Sequence, residues 1–324
     1  MKILLLGASG LLGHNVLHEL VSRQLSVVAP LRKRDAIVEE MISNAAVATP
    51  LGSVVDTAFL DAAAKGCDAI INCAGATDMS LLRYDDFVPA NVNLCQAIVD
   101  VAKKHGIKTI VHVSSANTIG YGSKEVPGDE SLPPKEPFAS SLYARSKLAG
   151  EEIMIGYALQ NADSKIIVLN PGFMLGPYDA KPSSARLMLA AYRLPIMLAP
   201  CGGKSFVAVK DVAIAVVNAL EMGRSGERYL LTGDEYTLHD FYKLQASVLS
   251  YRQLVVSVPR WILLIAAKCG DLLRLMGVAT QLSTSNIRQI TTKEYYTSSK
   301  ACNELAFKPT SISDAIQSYF SWRS

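Results

Sequence analysis

With 324 residues, 50% of them hydrophobic and 19% charged, the chain has the composition of a globular protein and not of a disordered one. A net charge of +3 and the lack of any run of five like charges argue against nucleic acid as a partner. The length suits one large domain or one and a half.

Residues 3–6 form an apolar run of the length expected for a strand buried on both faces, and Gly7, Gly10 and Gly13 follow it directly. After them Leu12, Val16, Leu17, Leu20 and Val21 recur at helical spacing. Strand, tight turn and helix in this order describe a site where glycines admit a pyrophosphate to the free N–H groups at a helix N-terminus. The same glycines could be steric turn residues, but their position straight after a strand and before a helix favours the nucleotide. Met1 leads immediately into this strand, so the expectation is a chain without a signal peptide, in the cytoplasm.

A second strand, 26–29, delivers Arg32, nineteen residues beyond Gly13 with no acid between. A carboxylate about 20 residues on would hold a ribose 2′-hydroxyl, whereas arginine accommodates a 2′-phosphate. The expected cofactor is therefore NADP, with NAD as the alternative. Next come a strand at 46–49, a helix at 56–65 and a strand at 69–73 whose end, Cys73, Ala74 and Gly75, is small enough to line a ligand at the sheet's edge. Residues 88–104 carry helical spacing and stop at Gly106, a natural C-cap. A strand at 109–113 runs into Ser114 and Ser115, and regular alternation of this kind predicts a doubly wound parallel sheet.

Residues 120–138, rich in Gly, Pro and charge, read as a loop facing substrate. The helix expected at 141–158 puts Tyr143 and Lys147 at i and i+4, on one face. A nearby ammonium would lower the phenol's pKa from about 10 toward a working value, and Ser115 could hydrogen-bond a substrate carbonyl. Further strands are expected at 165–169, 206–209 and 229–232, with a helix at 211–221 that Asp211 would cap. Residues 259–277 predict a strongly apolar helix interrupted near Gly270, read as core or subunit packing, with a membrane-surface face or a substrate lid as alternatives. Its uncharged run 261–267 is far below the ~20 residues that cross a bilayer. The six cysteines lack metal spacing and read as reduced core thiols, and the five histidines offer no ligand pattern, so no metal is expected.

Taken together the chain resembles the extended short-chain dehydrogenases/reductases, the NAD-dependent epimerase/dehydratase family, and within it the dihydroflavonol reductase-like enzymes. The resemblance rests on Gly7-Ala-Ser-Gly-Leu-Leu-Gly13, Asp68-Ala-Ile-Ile-Asn-Cys-Ala-Gly75, Asn91-Val92, Val113-Ser-Ser-Ala116, Tyr143-Ala-Arg-Ser-Lys147, Asn170-Pro-Gly-Phe-Met-Leu-Gly-Pro177 and Phe206-Val-Ala-Val-Lys-Asp-Val-Ala213. It implies a Rossmann domain over 1–170 that regains 205–235, with 171–204 and 236–324 forming a smaller substrate lobe. Tyr143 would be the acid–base, Lys147 would hold the nicotinamide ribose and Ser115 would orient the carbonyl. Gly7, Ser9, Gly10, Leu11 and Gly13 would surround the pyrophosphate. Arg32, Cys73, Ala74, Gly75, Pro171 and Phe173 would line the rest of the cofactor. Asn91 would support the site from the adjacent helix, and Asn117, Tyr178, Asp179 and Lys204 are candidates for substrate.

The departures from the family pattern are equally informative. Ala116 and Asn117 replace the acid pair of the sugar dehydratases, Leu31-Arg32 replaces the acid of the NAD-holding epimerases, and Lys204 stands where those enzymes often use a diphosphate-gripping arginine. An acid that often follows the third strand is missing near Pro50-Leu51-Gly52. The expectation is an NADP-dependent oxidoreductase acting by hydride transfer on a small-molecule carbonyl or secondary alcohol. A nucleotide-sugar epimerase is the alternative, and a non-catalytic NADP-binding regulator the more distant one. A homodimer is left open.

Overall fold

Ile3 to Leu6 are wholly buried in strand β1 (Lys2–Leu6), as a strand covered on both faces requires. The computed structural model describes residues 1–42, 46–180, 182–278, 280 and 282–323. Strand and helix then alternate: α1 (Leu11–Ser22), β2 (Ser26–Val28), α2 (Ala36–Met41), β3 (Val47–Ala48), α3 (Thr57–Ala64), β4 (Ala69–Asn72), α4 (Leu94–His105), β5 (Thr109–Val113), α5 (Leu142–Gln160) and β6 (Lys165–Pro171). Past β6 the pattern loosens into β7 (Phe173–Leu175), α6 (Ala185–Ala191), β8 (Ile196–Pro200), β9 (Gly203–Ala208), α7 (Val209–Asn218) and β10 (Arg228–Leu231). The remainder is β11 (Glu235–Thr237), α8 (Leu238–Val248), β12 (Leu254–Val258), α9 (Arg260–Leu275), α10 (Thr284–Ile290), β13 (Lys293–Glu294), α11 (Ser299–Glu304) and α12 (Ile312–Arg323).

Seven strands form one parallel sheet in the order β10-β6-β5-β4-β1-β2-β3, a Rossmann-like α/β arrangement. Side chains alternate between its two faces. Ile3 and Leu5 pack with α1 and α7 on one side, while Leu4 and Leu6 pack with α3, α4 and α5 on the other. Strand order reverses between β1 and β4, and the crevice at their carboxyl ends is where such sheets take ligands. The helix ends follow local chemistry. Asp56 accepts hydrogen bonds from Ala58 and Phe59 backbone N–H, Ser141 caps α5 through the Ala144 N–H, and Gly106 ends α4 at φ +67°.

A smaller lobe forms around a second core, in which the Phe206 and Phe241 rings stack at 4.4 Å and α12 contributes Ile312, Ile316 and Tyr319. Strand β9 organises it by pairing with β7, β11 and β13, while β8 and β12 form a separate parallel ribbon.

Three expectations need correction. Asp211 does not cap its helix, because α7 starts earlier, at Val209, and the carboxylate instead accepts from the Thr310 backbone N–H and hydroxyl. Gly270 does not interrupt α9. It is needed because a Cβ there would lie 1.8 Å from the Leu282 carbonyl oxygen. The six thiols are free, but Cys269 and Cys302 are exposed and not in the core. Residues 120–138 are pinned, with Gly122 and Gly128 bridging to Tyr295 and Tyr296 and Glu130 accepting from the Leu230 N–H.

Candidate cofactor and catalytic site

The turn after β1 depends on glycine at two points. Gly7 has φ +83°, and a Cβ on it would stand 2.6 Å from the Ala74 nitrogen. A Cβ on Gly13 would stand 1.9 Å from the Gly7 carbonyl oxygen, so α1 can approach β1 only without a side chain there. Gly10 differs: a Cβ would meet nothing closer than the Gly7 carbonyl oxygen at 3.4 Å, so the space in front of the helix end is open. Gly10 is also the N-cap of α1, where no side chain caps the helix and no acid occupies the first turn. Uncapped N–H groups and the positive end of the helix dipole therefore face that space, with Ser9 and Leu11 half-buried around it. Arg32 is exposed, next to the Leu31 to Leu51 bridge that extends the sheet edge.

At the end of β4 the chain passes through half-buried Cys73 and Ala74 to exposed Gly75. A Cβ on Gly75 would lie 3.1 Å from Asn91 Oδ1 and 3.6 Å from Lys147 Nζ. This glycine thus brings the β4 loop, the turn before α4 and helix α5 together. Asn91, buried in a π-helical turn at Pro89–Asn93, fastens all three: its Oδ1 accepts from the Ala76 N–H at 2.8 Å, and its Nδ2 donates to the Ala76 carbonyl at 3.0 Å and to Ser146 Oγ at 2.9 Å.

Helix α5 carries Tyr143 and Lys147 to the carboxyl end of β5. The Ser115 side chain favours the ionised form of the Tyr143 phenol, and its hydroxyl accepts from the Asn117 N–H at 3.3 Å. Lys147 is buried and donates from Nζ to the Val113 carbonyl at 2.7 Å. Both groups feel their burial first. It raises the phenol above its ordinary value, with the Ser115 hydrogen bond opposing, and it lowers the lysine, with Cys95, Glu151 and Cys73 opposing. The expected lowering of the phenol by its lysine neighbour is thus not what the geometry produces. Loss of hydration outweighs the other influences on Tyr143, and the ammonium is turned to a backbone carbonyl. Burial also pushes the Cys73 thiol up to about 12, which keeps it an unreactive lining group.

Behind these residues lies a polar layer that no spacing argument singled out. Glu151, one turn beyond Lys147 and fully buried, accepts from Thr118 Oγ1 at 3.0 Å, Asn170 Nδ2 at 2.9 Å and Arg228 at 3.3 Å. Asn170 Nδ2 also reaches the Ser115 carbonyl at 3.2 Å. An acid continuing the Tyr143 and Lys147 face was the available signal, since that face is buried. His112 is buried too. Its Nδ1 takes a hydrogen bond from Asn72 at 3.1 Å, and burial holds it neutral.

The remaining candidates have partners of their own. Pro171 closes β6, and Phe173 packs edge-on against Phe206 at 5.5 Å. Asn117 is half-buried beside Ser115. The Tyr178 ring packs against His14, His18 and Trp322. Asp179 is engaged with the Ser183 and Ala185 N–H groups. Lys204 is largely buried, pairs with the buried Glu294 and lies 5.6 Å from the centre of the Phe173 ring. Among the described residues no cluster of His, Cys, Asp or Glu could hold a metal, and no helix is long and apolar enough to cross a membrane.

Known proteins share this architecture. Sterol demethylase protein B of Methylococcus capsulatus is 24% identical over 99% of this chain and 98% of its own. A 4-hydroxy-2-methyl-3-oxo-4-farnesyl-3,4-dihydroquinoline-1-oxide ketoreductase of Stigmatella aurantiaca is 27% identical over 84% of this chain and 80% of its own. Among solved structures, UDP-glucose 4-epimerase of Thermotoga maritima superposes with a TM-score of 0.79 at 19% identity, over 100% of this chain and 98% of that one, which is a likeness of fold. The family model of the NAD dependent epimerase/dehydratases matches residues 3–232, from the first strand of the large sheet to just past its last. On that match the chain belongs to the NAD dependent epimerase/dehydratase family and is an enzyme of the short-chain dehydrogenase type.

Proposed function

We propose that this enzyme is an NADP-preferring reductase that converts a ketone to a secondary alcohol. The residues at the β1 and β4 ends fit a dinucleotide. Gly10 leaves open the space before an uncapped helix N-terminus, Gly75 keeps the approach to Lys147 clear, and Arg32 is an exposed cation at the position suited to a 2′-phosphate. NADPH, when bound, supplies the hydride. The chain's own residues handle the oxygen. Ser115 donates to the carbonyl oxygen and holds it, Tyr143 transfers its phenolic proton to that oxygen as the carbon is reduced, and Lys147 holds the nicotinamide ribose beside them. Asn91 keeps Gly75 and α5 in register so that the three meet. The division into a dinucleotide domain over 1–170 with 205–235, and a substrate lobe over 171–204 and 236–324, belongs to the same reading, as does a cytoplasmic setting.

The observation that carries the choice of reductase over nucleotide-sugar epimerase is the Lys204 and Glu294 pair. Lys204, which the family resemblance sets at the diphosphate position, is paired inside the protein with Glu294, so it has little charge left for a nucleotide diphosphate. The names of the Methylococcus and Stigmatella relatives, for a sterol and for a farnesyl-bearing ketone, support an apolar substrate. The coupling of Ser115 to the Tyr143 phenol argues against a regulator without chemistry. The test is a panel of ketones and UDP-sugars with NADPH. Loss of reduced-nicotinamide absorbance with a ketone is the expected result, and sugar interconversion with no net change in cofactor overturns the reading.

A further inference from the structure

Helix α9 is inverted relative to the fold that carries it. A surface helix normally turns its apolar stripe to the core. Here only Ala267 and Gly270 are buried, while Trp261 is 65% exposed, Ile265 60%, Leu272 61%, Leu275 85% and Met276 72%. At 3.6 residues per turn these side chains, with Ile262 and Leu273, cover the outward half of the helix, and Lys268 is the one charge among them. The polar groups point to the protein: Asp271 accepts from the Thr284 N–H and hydroxyl, and Arg274 donates to the Leu81 carbonyl at 2.6 Å. The preceding ribbon repeats the inversion. Ile196 and Leu198 of β8 and Leu254 and Val256 of β12 are exposed, while the alternate residues Ala199 and Val255 are buried.

Charge identifies what covers this face. Along β12 and α9, residues 250–276, three bases are exposed, Arg252, Arg260 and Lys268, while the one acid, Asp271, and Arg274 are both turned to the protein. What this segment shows to solvent is therefore basic and carries no opposing acid. A two-fold contact with a second copy would set two such basic stretches against each other. An anionic bilayer instead complements the bases and takes up the apolar side chains, with Trp261 and Arg260 at headgroup depth. The helix is about 24 Å long and apolar on one side, dimensions for lying in the interface and not for crossing it.

We propose that the outward faces of α9 and of the β8 and β12 ribbon dock on the surface of an anionic phospholipid bilayer. The helix pair α9 and α10 reaches the site through Arg274 on the Leu81 carbonyl and Asn286 on the Met79 carbonyl, a loop that begins at Gly75 beside Lys147. Docking therefore brings the helix pair that holds the loop after Gly75 to the lipid. On the reductase reading above, the enzyme's substrate is a ketone dissolved in the bilayer.

The test is sedimentation of the full chain with vesicles of phosphatidylcholine and phosphatidylglycerol, and with phosphatidylcholine alone. The expected result is strong binding to the anionic vesicles, weakened roughly a hundredfold by the exposed-face variant Ile265→Glu, Leu272→Glu, Leu275→Glu, whose activity on a water-soluble ketone stays unchanged. Arg260→Glu with Lys268→Glu should erase the preference for anionic over neutral vesicles. Tyr143→Phe should bind vesicles like the parent chain, which separates failure of docking from failure of the catalytic reading. A parent chain that stays in the supernatant overturns the proposal. So does a triple variant that turns a dimer into a monomer without changing vesicle binding, since a second copy then covers the face.

Discussion

At the scale of single residues, the proposed proton transfer makes Tyr143 the group that sets the pH behaviour. Burial raises its pKa above the ordinary value of about 10, so the phenol keeps its proton through neutral and mildly alkaline solution. Reduction, which consumes that proton, should hold constant from about pH 6 to 9 and fall only above the raised value. Oxidation of the alcohol needs the phenolate and should climb over the same range. Rate profiles in the two directions check both slopes, and Tyr143→Phe should remove turnover while nucleotide affinity stays within about twofold. On the proposed reading Arg32 meets a different ligand atom: Arg32→Ala should weaken NADPH far more than NADH in titrations, and equal losses would contradict the 2′-phosphate contact. Lys204 makes the opposite case, a charge whose partner is internal. Lys204→Ala leaves Glu294 buried with no counter-charge, so a loss of about 3 kcal/mol or more is expected in urea unfolding. A variant of normal stability would place Lys204 among groups free to meet substrate.

At the scale of elements, the site depends on how closely helices approach. Gly150 lets α5 touch the turn before α4, since a Cβ there would stand 2.2 Å from the Asn91 carbonyl oxygen and 2.9 Å from Cys95 Sγ. Gly150→Ala would push these elements apart and move Asn91 away from Gly75. The expected cost is about 1–3 kcal/mol, read from the urea midpoint, together with weaker nucleotide binding. Helix α9 illustrates the limit of periodicity. Its spacing gave a strongly apolar helix, but the same spacing describes a helix facing a core and one facing a bilayer, and only the burial of its neighbours tells them apart. Gly270 was misleading for a related reason: glycine breaks a helix in isolation, whereas here it makes room for the Leu282 backbone.

At the scale of the whole molecule, the smaller lobe is strapped to the large sheet by polar contacts. Asn15 of α1 donates to the Pro177 carbonyl at 3.0 Å, the His14 Nδ1 meets the Tyr178 carbonyl at 3.1 Å, and Asp211 holds Thr310. The first two of these contacts start on α1, whose N-terminus faces the proposed pyrophosphate position, and the third starts on α7. NADPH at a hundred times its dissociation constant should add about 2.7 kcal/mol to stability. Because of these contacts, the fluorescence of Trp322, packed against the second core, and of Trp261 on α9 should shift its melting midpoint together with the far-ultraviolet circular dichroism. Two separated transitions, only one of them moved by nucleotide, would mean the lobes unfold independently.

The sequence by itself determined the large sheet and singled out the candidate site residues. Buried parallel strands need unbroken apolar runs, the β1 turn needs glycine at Gly7 and Gly13 for steric reasons, and a pair four apart on a helix must share a face. Tertiary structure decided what those groups experience. Desolvation, a property of everything packed around Tyr143, raises a phenol that its neighbour alone would have lowered. The partners of Lys204 and Asp211 come from 90 and 99 residues away, a separation at which no local pattern carries information. The side of α9 that meets solvent was decided in the same way, by what the rest of the chain left uncovered.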